Sequence, residues 1–352
     1  MHIAILLVAP AVIFGLTNVI CGELPQYKRI SLLVGSLTTW MAIALRHPNS
    51  SPDLQQYVSR YRSLPFVNIR QIASGDIAAF DKDPAFWVLA KACSVVGMNE
   101  RAWIAALAAI LCGACAILIN RHTSSPLTAF TVVIYFGYAP LFSTALRQSV
   151  ALALTLLASY YLLERRKVLG YGLFLVASLF HGAMLLCLPA AVLARRRPRW
   201  ALCSLVAMLA MSLARPDIFR SAISYFGWTE SITSYADTQT GLTWSAFAFH
   251  ALVLAVATML HGKTSRISTS SPYVYNISLI GIGFFALSTQ VAESFRIASA
   301  LTIYEMLYLS NMRLTPWVTS PLNLTPIAVA IIGIAYSSYS GAYTPYVENF
   351  AP

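Results

Sequence analysis

Residues 146–199 read LRQSVALALTLLASYYLLERRKVLGYGLFLVASLFHGAMLLCLPAAVLARRRPR. Two basic clusters, ERRK at 164–167 and RRRPR at 195–199, bracket an apolar stretch, and another apolar run opens at Arg147-Gln148. Basic residues in short loops mark the cytoplasmic side of a membrane helix. One unbroken helix over 168–193 would put the two clusters on opposite faces. A break at His181-Gly182 divides the stretch into 168–180 and 182–193, returns both clusters to the cytoplasm and leaves His181 at the outer end. A thin or tilted hairpin accommodates the two short halves.

The same pattern extends through the chain. Of its 352 residues 58% are hydrophobic and 11% are Asp, Glu, Lys or Arg, whereas a soluble domain carries about 25% charged residues. Apolar runs recur at 2–20, 30–45, 101–119, 127–143, 147–163, 200–214, 241–260, 273–292, 297–314 and 321–340. They are too long and too weakly alternating for barrel strands, so the sequence predicts an all-α polytopic membrane protein of about 10–12 transmembrane helices. It predicts one transmembrane domain over 1–352, with outer loops at 46–100 and 215–240. Segment 83–98, DPAFWVLAKACSVVGM, is amphipathic and suits the membrane surface. The first run lacks a basic leader and is read as a span, not a signal peptide.

Charge placement tests this layout. Segments 21–29, 120–126, 164–167, 195–199, 261–272 and the turn at Arg313 hold 13 basic and 2 acidic residues, and the remainder holds 11 of each. The net charge of +11 therefore lies on one face, and no nucleic-acid partner is needed to explain it. The six cysteines fall mostly inside apolar runs. Cys112 and Cys115 read as small buried hydrophobes, with no metal or cofactor expected.

Under this topology Arg46, Arg147, His181 and Arg296 all lie at the outer ends of spans. Each alone is explained by interfacial anchoring. Together they suit an anionic substrate at the membrane boundary. Arginine presents five donors that match a diphosphate. Arg147 sits in a first helical turn, where the helix dipole also favours an anion. A histidine accepts a proton near neutral pH and so can activate a sugar hydroxyl. Gln148 would orient phosphate or sugar. Asp53 and Tyr57 share one side of a short helix opened by Pro52. Asp53 is either a catalytic partner or a salt bridge to Arg46 or Arg60. Loop 215–240 brings Tyr225, Trp228, Glu230, Tyr235 and Asp237, suited to a sugar chain or to an interfacial aromatic belt.

Three stretches carry a family resemblance: ALRHPNSSPDLQQYVSRY, then DPAFWVLAKACSVVGMN, then ALRQSVALALTLLASYYLLERRKVLGYGLFLVASLFHGAMLLCLPAAVL. The chain resembles the EpsG branch of the Wzy-type bacterial polysaccharide polymerases. The positions that match are Arg46, Asp53 and Tyr57, then Arg147-Gln148, Phe180-His181 and Arg296. Ser51-Pro52 replaces the family's Gly-Thr step, and Asp83 stands where an acidic residue opens the next element.

The resemblance implies a metal-independent membrane glycosyltransferase of GT-C-like fold in the bacterial cytoplasmic membrane, its site facing the periplasm or cell exterior. Donor and acceptor would be undecaprenyl-diphosphate-linked oligosaccharides, and the product a capsule, O-antigen or exopolysaccharide. A flippase and a chain-length regulator are the implied partners. It casts His181 as the base and Arg147 and Arg296 as the diphosphate clamp, with Arg46 assisting and Gln148 and Tyr235 positioning. A lipid-linked oligosaccharide flippase, an O-antigen ligase or another membrane transferase, and a subunit without chemistry are the competing readings.

Overall fold

A computed structural model of the chain describes residues 3–22, 24, 26–45, 51–74, 77, 80, 83–213, 240–261, 271–288, 293–311 and 329–335. The fold is all-α, and the chain divides into two compact units, Met1–Leu185 with Trp317–Pro352, and Leu186–Pro316.

In the first unit, α1 (Ile3–Cys21) and α2 (Tyr27–Ala44) lead to a short-helix segment of α3 (Pro52–Ser63), α4 (Ile69–Ser74) and α5 (Pro84–Val95). Then come α6 (Glu100–His122), α7 (Pro126–Tyr135), α8 (Tyr138–Thr144), α9 (Leu146–Leu163) and α10 (Lys167–Phe180). The starts follow from local chemistry. Ser51 caps α3 by accepting from Leu54 N at 3.2 Å, with Pro52 in the first turn. Asn99 caps α6 by accepting from Ala102 N at 2.9 Å. Glu100 at the head of α6 and Arg121 at its tail complement the helix dipole.

Helix α9 ends in a tight motif. Arg165 takes the left-handed conformation (φ 64°), Arg166 N donates to Tyr161 O at 2.8 Å and Arg165 N to Leu162 O at 3.1 Å. The chain therefore reverses within ERRK, and α10 packs back along α9. It stops where the sequence predicted: His181 is extended (φ −159°), followed by a 3-10 turn Gly182–Leu186 and α11 (Cys187–Ala194).

Helix α2 is arranged inside out. Its buried residues are Ser31, Gly35, Thr39 and Ile43, while Leu33, Leu37 and Met41 are exposed. Small residues facing neighbouring helices and large apolar residues facing outward belong to a helix solvated by lipid. Further large apolar side chains project from α1, α10, α12 (Pro198–Leu213) and α13 (Thr240–His261), consistent with a membrane-associated protein.

Among the described residues, fewer helices than the roughly 10–12 expected are long and apolar enough to be complete spans. Glu100–His122 and Leu146–Leu163 meet both conditions. A third span results if α7 and α8, bent by 60°, count as one. The expected run 127–143 is interrupted at Gly137, whose φ of 85° is open to glycine at no steric cost. Several other apolar helices are shorter, among them Pro84–Val95, Lys167–Phe180 and Pro198–Leu213.

The second unit continues from α11 with α12 and α13, then α14 (Ser271–Leu287), α15 (Glu293–Thr302) and α16 (Glu305–Ser310). Helix α14 is its centre and packs on α11, α12, α13 and α15. At Gly281 a Cβ would stand 2.8 Å from Leu301 Cβ, so the missing side chain lets α15 come close. Buried Asn276 donates to the carbonyls of Ala194 (2.9 Å) and Arg196 (3.1 Å), which the end of α11 leaves without helical partners. His250 and Glu305 form a buried pair, Nδ1 to Oε2 at 2.8 Å, with the imidazole stacked on Phe285.

Candidate active site

The site grows from an aromatic core under the 51–104 segment. Tyr61 stacks on Trp103 with centroids 4.3 Å apart, and Tyr57, Phe86 and Trp87 pack edge-on or tilted around them. Lys91 Nζ donates to the carbonyls of Leu64 (2.6 Å) and Pro65 (3.2 Å), tying α5 to the turn after α3. These contacts fix the head of α5 and one face of α3, from which Asp83 and Tyr57 project.

Asp83 is the residue on which the others converge. Its Oδ2 accepts from Arg147 Nη1 at 2.8 Å and lies 3.4 Å from His181 Nδ1, while its Oδ1 accepts from Gly182 N at 3.0 Å. Arg147 also donates from Nε to Tyr57 Oη at 2.9 Å, and its guanidinium lies 5.7 Å from the Tyr57 ring centroid. The side chains of Arg147, Asp83 and His181 are 17%, 15% and 9% exposed. Burial raises the Asp83 carboxyl, but the hydrogen bond to His181, the charges of Arg147 and His181 and the Gly182 N–H outweigh it. The carboxyl is held below its ordinary value.

The backbone at Asp83 is costly on its own terms. Asp83 precedes α5 in the left-handed conformation (φ 57°, ψ 60°) and is followed by Pro84, which disfavours helical conformations in the residue before it. Its carboxylate makes no capping bond to α5, forgoing about 1 kcal/mol that an N-cap Asp ordinarily supplies. Those local losses are offset only by the long-range contacts to Arg147, His181 and Gly182. Strain of this kind collects at functional sites.

Three of the sequence-predicted residues, Tyr57, Arg147 and His181, thus meet around Asp83, which the sequence had marked only as the opening of an element. An acidic residue joined to proline at a helix head was the available signal, but it reads equally as an ordinary helix start. Asp53 is not brought in. It is exposed in the first turn of α3, and among the described residues it makes no hydrogen bond or ion pair, to Arg60 or otherwise. Gln148 is buried, about 100° round α9 from Arg147. Arg296 lies at the head of α15 in the second unit, half-buried. Arg46, Tyr235 and the rest of loop 215–239 lie outside the described residues. No group of three or more His, Cys, Asp or Glu that could hold a metal ion stands among the described residues.

An all-α chain with large apolar side chains facing outward, and with an arginine, a carboxylate and a histidine gathered at the head of one helix, is a membrane-associated helical protein. Across residues 29–347 the chain matches the EpsG family and belongs to it. That membership accords with a membrane-associated role in polysaccharide metabolism. No curated protein and no solved structure matches the chain.

Proposed function

We propose that the protein is a multi-pass membrane polysaccharide polymerase of about 10–12 helices. It joins lipid-diphosphate-linked oligosaccharide repeats at the outer face of the bacterial cytoplasmic membrane. One observation carries this reading: Arg147 and His181, from the head of α9 and the break after α10, meet on one carboxylate. They lie at the opposite end of α9 from the ERRK turn, whose basic residues favour the cytoplasm.

The chemistry follows from the two side chains. His181 Nε2 takes the proton of an acceptor sugar hydroxyl. The freed oxygen bonds to the anomeric carbon of the donor chain, and the bond from that carbon to the diphosphate oxygen breaks. The electron pair leaves with the diphosphate, whose negative charge the Arg147 guanidinium stabilises. The products are a chain longer by one repeat and a lipid diphosphate. Arg296, Arg46, Gln148 and Tyr235 take the roles assigned to them from the sequence.

The test is Arg147→Ala in cells, with protein level followed alongside polymer length. Long chains should disappear while lipid-linked single repeats accumulate. Normal chain lengths at normal protein level would refute the assignment.

A further inference from the structure

Resting on that reading, we propose that Asp83 is the positioning residue of the reaction: it fixes the tautomer and the aim of His181 while holding Arg147 beside it. Three observations on different atoms lead there. Asp83 Oδ2 faces His181 Nδ1 at 3.4 Å. A carboxylate only accepts, so Nδ1 carries the hydrogen and Nε2 is left with its lone pair. His181 Nε2 is buried and has no hydrogen-bond partner among the described residues; it is the atom a base needs kept open. Finally, Asp83 gives up its own helix cap and sits in a left-handed pre-proline conformation to make these contacts.

Arg147 and His181 share one oxygen, the arginine at 2.8 Å and the imidazole at 3.4 Å. The carboxylate neutralises Arg147 in the resting site and stabilises the imidazolium that forms when the hydroxyl proton arrives at Nε2. Gly182 N–H, on the other oxygen, fixes the carboxylate to the chain segment that carries His181. Among the described residues, the charged and titratable groups that meet the imidazole or its partners are Asp83 at the head of α5, Arg147 on α9 and, behind Arg147, Tyr57 on α3. A carboxylate that orients and charge-balances a basic histidine contributes through the histidine and touches no substrate.

The experiment uses the full chain, purified and reconstituted in liposomes with a defined lipid-diphosphate-linked repeat. Asp83→Asn keeps the shape and tolerates the left-handed backbone but lacks the charge. Its kcat should fall by roughly 10²–10⁴-fold with KM little changed. A near-normal kcat would overturn the proposal. Asp83→Gly suits the same backbone and is the second variant: added formate should restore turnover there and not in His181→Gln. Formate without effect on Asp83→Gly would equally overturn it. Wild-type turnover in both His181→Gln and Arg147→Ala would remove the reading of the site itself; loss in both beside a normal Asp83→Asn would sink only the role of Asp83.

Discussion

The two ends of α9 carry the same three kinds of side chain and differ in what surrounds them. At its head are Arg147, Asp83 and His181. Past its tail are Arg121, Glu164 and His122, with Arg121 Nε to Glu164 Oε1 at 3.0 Å and His122 Nε2 at 3.9 Å from the same oxygen. At the head the arginine and carboxylate are largely sequestered. At the tail Arg121 is 64% and Glu164 29% exposed. An arginine–carboxylate pair in water is screened and contributes little, whereas a sequestered one holds its geometry and leaves an uncompensated charge when broken. Charge type is therefore no guide to the site; the exposure of the arginine and the carboxylate is what makes the two ends unequal.

Breaking the head cluster should have the largest effect. Arg147→Ala leaves Asp83 partly buried without its cation, and a cost of about 2 kcal/mol in unfolding free energy is expected, less than for a fully buried pair. Together with loss of polymer, this separates the head of α9 from its tail in one variant. Denaturation in detergent, read by tryptophan fluorescence, checks it. Arg147→Lys, which keeps the charge and loses the planar fork, should recover part of the stability and little of the activity.

Next in size is the response to acid. The folded-state Asp83 carboxyl titrates below its ordinary value, so the folded protein binds fewer protons there than the unfolded chain. That contribution to stability is fully present above about pH 4 and is lost as the pH falls through the depressed folded-state value. Asp83→Asn should remove this part of the acid sensitivity, leaving a flatter stability curve on the acid side. An unchanged acid slope would mean that the Arg147–Asp83 contact does not persist in solution.

Local features of these elements were legible in the sequence, and convergence was not. The break at His181, the start of α3 at Pro52 and the place of Arg147 in the first turn of α9 follow from capping residues, charge and apolar period. The meeting of the 120–126 and 164–167 segments through Arg121 and Glu164 agrees with a charge count that put both on one side. Asp83 was out of reach because its role is set by contacts 64 and 98 residues away and by a backbone conformation that no residue pattern announces. Asp53 attracted attention for its spacing to Tyr57, yet Tyr57 turns to Arg147 instead. The run 127–143 reads as one straight span for a related reason. A hydropathy run continues straight across Gly137, where the helix bends and starts again.

Tyr57 sharpens the comparison at smaller amplitude, since the tail has no equivalent phenol hydrogen-bonded to its arginine among the described residues. Tyr57→Phe removes the hydroxyl that accepts from Arg147 Nε and keeps the ring beside the guanidinium. A loss of about 1 kcal/mol in stability is expected, with a few-fold drop in turnover as Arg147 gains freedom. A drop as large as that of Arg147→Ala would show that the phenol itself meets substrate.

The smallest effect belongs to the tail of α9. Glu164 is held below its ordinary value by the hydrogen bond from Arg121, 3.0 Å away. Even so, both side chains reach solvent, and salt screens what they gain. The turn they flank is already closed by backbone bonds from Arg165 and Arg166 to α9. Glu164→Gln should therefore leave polymer length, turnover and the melting temperature at wild-type values. If it abolished polymer as Arg147→Ala is expected to, the chemistry would have been assigned to the wrong end of the helix, because the same residue types would then act where water reaches them and not where it is kept out.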